Sequence, residues 1–130
     1  MRDKPTGAEL LKLARRIMRE QLLEHIPPEK KYQALMIANT MAIAARQIEY
    51  GDEKEREDLA RVTSILGEKS DPDNSAEVQA ALEECYRALS KDIREGRIVP
   101  GASRHDEVYE LLYGQARQKV LESNPGYLDE

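Results

Sequence analysis

The chain has 130 residues, a net charge of -5 and charged side chains at 35% of its positions. That length suits one ordinary domain with its own core, and the lone Cys85 leaves no internal disulfide to form, which fits a reducing compartment. An acidic chain with six Tyr, no Trp and no Phe gains nothing from phosphate attraction and offers few stacking platforms, which argues against a nucleic-acid partner.

The opening MRDKPTGAELL carries charges but no continuous apolar stretch, so no signal peptide is expected and the location expected is cytoplasmic. Thr6-Gly7-Ala8-Glu9 has the T-x-x-E pattern of a capping box, in which the Thr hydroxyl and the Glu carboxylate each satisfy a backbone N–H of the first turn. Leu10, Leu13, Ala14, Ile17 and Gln21 then form one stripe at helical spacing, with Leu11, Met18 and Leu22 beside it. Pro27-Pro28 ends this helix and starts the next, which runs from about Pro28 to Tyr50 with Gly51 placed to close it. From Ala34 to Ala45 this second helix is almost wholly apolar. It is too short for a membrane span, which needs ~20 apolar residues, and it is bounded by Lys30, Lys31 and Arg46. A helix apolar over most of its circumference is expected at the centre of a bundle, and Ala34, Ala38 and Ala42 let a neighbour approach closely.

Asp52 to Leu66 reads as a third helix with an acidic first turn and Leu59, Val62, Ile65 and Leu66 on its inner side. Asp71-Pro72-Asp73-Asn74 is a turn. A fourth helix follows, capped by Asn74 or Ser75, with Glu77 placed for a box with Asn74 and a stripe of Val78, Ala81, Leu82, Cys85, Leu89 and Ile93. After a connector around Ile98-Val99-Pro100-Gly101, Ser103 is positioned to cap a last helix reaching about Ser123, and Asn124-Pro125-Gly126 stops it. No stretch alternates with period two. The expectation is a single all-α domain over residues 1–130, an irregular bundle of about five helices.

Chemistry-bearing patterns are few. Neither His25 nor His105 sits in an E-x-x-H or H-x-x-x-H arrangement, so no metal or other cofactor is expected. Cys85 falls on an apolar stripe beside Glu83 and Glu84, a setting for packing and not for a reactive thiolate. Gly67-Glu68-Lys69-Ser70 lacks the upstream glycine of a P-loop. No catalytic residue can be named, and an enzyme is less expected than a binding protein. The sharpest polar feature is Asn39 with Arg46, seven residues apart and so on one line of the second helix. They either line a cleft for an anionic ligand, such as a CoA thioester or carboxylate, or fix helix register, with Arg46 paired to Glu9 or Glu49. Arg15 and Arg16 read as solvated or paired across to carboxylates, and Glu9 and Arg15 join Asn39 and Arg46 as candidate ligand or register residues. Tyr109 and Tyr113, four apart on the last helix with Leu112 between them, mark a candidate interface with a partner or a second copy.

RDKPTGAELLKLARR, YQALMIANTMAIAARQIEYG and the closing SNPGYL together resemble a bacterial domain family of unknown function. That family has a P-T-G-x-E-L-L opening, an L-M-x-A-N-x-x-A-I-A-A-R-E core helix and an N-P-x-Y-L end. Pro5, Thr6, Gly7, Glu9, Leu10, Leu11, Asn39 and Arg46 match as they stand, and Gln47 stands where the family pattern has an acidic residue. The resemblance implies small proteins encoded near, or fused to, aminoglycoside-phosphotransferase-like kinases and acyl-CoA dehydrogenases. It therefore implies an accessory role as the protein partner of such an enzyme, and no catalytic residue.

Overall fold

The computed structural model describes residues 3–129 and is all-α, with five α-helices and no strand among the described residues. None of its helices is long and apolar enough to cross a membrane. The chain divides between Gly51 and Asp52 into two compact units.

The first unit is a helical hairpin of α1 (Gly7–Ile17) and α2 (Lys31–Tyr50). The capping box forms as the sequence predicts: the Glu9 N–H donates to the Thr6 hydroxyl at 3.3 Å and the Thr6 N–H donates to the Glu9 carboxylate at 2.6 Å. After Ile17 the backbone widens into a π-helical turn, Met18–Leu22, and tightens into a 3₁₀ turn, Leu23–His25. Pro27 cannot continue a helix, and a second 3₁₀ turn, Pro28–Lys30, opens onto α2 with Pro28 at its first position. α1 packs against α2, antiparallel to it, as the neighbouring positions of Gly7 and Ile48 and the ion pair of Lys12 with Glu49 require. The buried positions are small: Ala8 on α1 and Ala34, Ala38 and Ala45 on α2.

That alanine contact turns the large side chains outward. The large members of the stripe along α1 are exposed, with Leu10, Leu13 and Ile17 at 51%, 41% and 36%. Ala14 of that stripe is half-buried, as are Leu11, Arg15 and Met18 beside it. At 100° per residue, a helix seated on Ala8 and Leu11 carries Leu10, Leu13 and Ile17 more than a quarter-turn away. α2 likewise exposes Leu35, Met36, Ile37 and Ile48, so it is not buried all round as its composition predicts.

The second unit holds α3 (Glu53–Leu66), α4 (Ser75–Arg94) and α5 (His105–Ser123), followed by a 3₁₀ stretch, Pro125–Asp129. Its core joins Leu59, Val62 and Ile65 of α3, Val78, Leu82, Cys85 and Leu89 of α4, Ile98 of the connector, and Val108 and Leu111 of α5. α3 ends at Gly67, whose φ of 73° is the left-handed closure that disfavours other residues. The next N–H, of Glu68, donates back to the carbonyl of Thr63 at 2.8 Å. α4 starts at Asn74, whose side chain accepts from the Glu77 N–H at 3.0 Å. Glu77 completes the cap one residue further out than expected, accepting from the Asp73 N–H at 2.9 Å. α5 differs more. Arg104, not Ser103, stands at its cap position and makes no capping bond, because the preceding residues close on themselves through Ala102 N–H to Val99 and His105 N–H to Ala102.

Candidate functional site

The side chains singled out in the sequence fall at separate places. Glu9 is the capping partner of Thr6, and the two Thr6 hydrogen bonds, backbone first, hold its carboxyl below the usual range. The other carboxylate proposed for Arg46, Glu49, pairs with Lys12. Asn39 is exposed on α2, while Arg46, two turns on, is half-buried and has an interaction of its own. Arg15 is half-buried, and its Nε is shut off from solvent without a hydrogen-bond partner. It reaches this state because it lies on the side of α1 that the small Ala8 brings against α2. Arg16 is exposed.

On α5, Tyr109 and Tyr113 are each 59% exposed and Leu112 is 37% exposed. The two rings stack, with centroids 6.3 Å apart and an interplanar angle of 15°. Tyr109, Leu112, Tyr113 and Ala116 repeat at helical spacing and all face solvent.

Several polar groups escaped the sequence reading. Asp92 near the end of α4 accepts from Arg97 at 3.0 and 2.7 Å and from Arg104 at 3.0 Å. Arg104 also donates to the carbonyl of Ile65 at 3.0 Å, supplying a cation to an unsatisfied C-terminal carbonyl of α3. One guanidinium therefore ties the ends of α3 and α4 to the start of α5. The Arg97 hydrogen bonds, then those of Arg104, hold the Asp92 carboxyl below the ordinary value. At the other end of these helices Asp52 accepts from Ser75 at 2.7 Å and from Arg56 at 3.0 Å. The Ser75 bond is the main cause of its lowered pKa.

Asp58 is 5% exposed and accepts from Lys54 at 2.8 Å, which raises the Lys54 pKa. Tyr86 packs against the same core, and its buried hydroxyl has no partner. Burial first, and the charge of Asp58 second, push its pKa up to about 12. The i, i+4 spacing of Lys54 and Asp58, with Val62 one turn further, was a readable sign of this pair. The Asp92 cluster had no such sign, since Arg104 reaches it from across a connector.

Cys85 is buried, and burial, then Glu68 and Glu84, push its thiol up. These are packing and tying groups. Surface depressions of this unit lie along α3 and the following loop. One, of about 700 Å³, is lined by Ala60, Thr63, Ser64, Glu68, Lys69, Ser70 and Asp71.

No curated protein and no solved structure matches the chain. The family model described as Domain of unknown function (DUF6285) matches residues 24–127. That span takes in α2 with Asn39 and Arg46 and the Asn124-Pro125 ending, and it begins after the Pro5-Thr6-Gly7 opening; the chain belongs to this family.

Proposed function

We propose that this protein is a non-catalytic accessory factor that binds a bacterial phosphotransferase-like kinase or acyl-CoA dehydrogenase through the apolar side of its helical hairpin. The observation that carries this reading is the exposed line Leu10, Leu13 and Ile17 on α1. These side chains repeat along one face of a helix that is capped at its start. Large aliphatic side chains held in a row on a rigid helix are the anchors of helix-mediated recognition, and burying the exposed third to half of each gains about 0.5–1.5 kcal/mol. The enzyme class comes from the resemblance of the motifs to domains encoded beside such enzymes.

A tagged full-length chain co-expressed with the products of its neighbouring genes tests the reading. Retention of one of those enzymes, and its loss with Leu13→Glu, is the expected result. Retention of neither, or equal retention by the variant, refutes it.

A second reading takes an anionic or acyl-CoA-type ligand near Asn39 and Arg46. Arg46, half-buried on α2, carries the cation that such a ligand needs. A rise in melting temperature with a CoA thioester, abolished by Arg46→Gln, is its mark.

A further inference from the structure

We infer that two copies of this chain pair through α5, antiparallel, about a two-fold axis passing near Tyr113. The surface is the stripe of Tyr109, Leu112, Tyr113 and Ala116, all exposed. Its two rings are already stacked on one another at 6.3 Å, so little side-chain freedom remains to be lost on contact.

The charges beside the stripe choose the occupant and its direction. Glu110 and Arg117 are both exposed and lie seven residues apart, two turns along the same edge of the stripe. In an antiparallel pair the same edges of the two helices meet. A two-fold axis midway between Glu110 and Arg117 therefore sets Glu110 of each copy opposite Arg117 of the other. A parallel pair would instead bring this edge of each helix against the other edge of its partner, so Glu110 and Arg117 would not meet. A self-complementary patch of this kind is what a two-fold interface requires, because both copies present the same surface.

The area sets the strength. Tyr109 and Tyr113 are each 59% exposed; with ~200 Å² for a fully buried aromatic side chain, the two rings offer ~240 Å² per copy and ~480 Å² per pair. Leu112, at 37% exposed, Ala116 and the flanking charges add to this, and the total stays below the ~1,200 Å² of standard interfaces, in the range of weak and transient pairs. The dimer is therefore weak and reversible, and it weakens further with salt because its ion pairs are exposed.

Sedimentation velocity of the full chain over a hundredfold concentration range tests this. The expected result is a shift from monomer to dimer as concentration rises. Tyr113→Ser and Glu110→Arg each weaken the dimer at least tenfold, and Glu110→Arg combined with Arg117→Glu restores it. Far-UV circular dichroism of each variant is expected to match the parent, since all these residues are exposed. A monomer at every concentration overturns the inference. So does a dimer that Tyr113→Ser leaves intact, or a double charge reversal that restores nothing. The Leu13→Glu variant lies on a different helix and leaves this dimer unchanged, so the enzyme-binding reading and this one fail separately.

Discussion

Leu89 and Ile93 stand one turn apart on the apolar stripe of α4, and their truncation to Ala should differ several-fold in cost. Leu89 is 2% exposed and sits in the core of the second unit, whereas Ile93 is 42% exposed on the last turn. Leu89→Ala removes three carbons, worth ~0.8 kcal/mol each in transfer, or ~2.4 kcal/mol. It also leaves a cavity between α3, α4 and α5 that the helices close only in part, which brings the loss to ~3–4 kcal/mol. Ile93→Ala removes the same number of carbons from a site already near half in water and leaves no closed void, so its cost is ~1 kcal/mol. Urea titration of the full chain followed by far-UV circular dichroism reads both. With a slope of ~2 kcal/mol per molar, the midpoint falls by ~1.5–2 M for Leu89→Ala and by ~0.5 M for Ile93→Ala, at unchanged slope. Equal losses would refute the packing described for α4, because the stripe would then be buried to its end.

Other expectations follow from named contacts. Thr6→Ala removes the hydroxyl half of the capping box and should cost ~1 kcal/mol, read as faster hydrogen exchange in the first turn of α1 with the second unit unchanged; unchanged exchange in α1 counts against the cap. Asp92 is held below its ordinary pKa chiefly by Arg97 and then Arg104, so its contribution is present above the unfolded value of ~3.9 and is lost as pH falls through the lower folded value. Asp92→Asn should accordingly flatten the acid limb of the stability curve below about pH 4 while lowering stability at neutral pH, and an acid limb identical to the parent's would contradict the cluster. The Cys85 thiol, buried and pushed up, should react with a thiol reagent only as fast as the second unit opens; fast stoichiometric labelling of the native chain would place it elsewhere.

Much of the helical layout was legible because it rests on local chemistry. The Thr6–Glu9 box, the Pro27-Pro28 break, Gly67 as a terminator and Asn74 as a cap all depend on residues within a few positions of one another. The core of α3 and α4 was legible for a related reason, since Leu59, Val62, Val78, Leu82 and Leu89 have one apolar line each to bury. α1 was misread because two apolar lines compete there. Leu10, Leu13 and Ile17 carry more apolar surface, yet the alanine contact with α2 seats the helix on Ala8 and Leu11. Helical spacing alone does not say which of two apolar lines faces inward. The start of α5 was misplaced because Arg104 is recruited by Asp92 and Ile65, neither of them local. Of the candidate site, Glu9 was legible as a cap. The setting of Arg15 was not, because it depends on how closely α1 approaches α2.

The proposed accessory role is tested most directly by isothermal titration calorimetry of the full chain against a purified phosphotransferase-like kinase and a purified acyl-CoA dehydrogenase, the two enzyme classes proposed as its partner. The account predicts saturable binding to one of them, with an affinity at least tenfold weaker for Leu13→Glu and unchanged for Ile93→Ala. Absence of binding to both enzymes, or a Leu13→Glu isotherm that overlays the parent's, would contradict it.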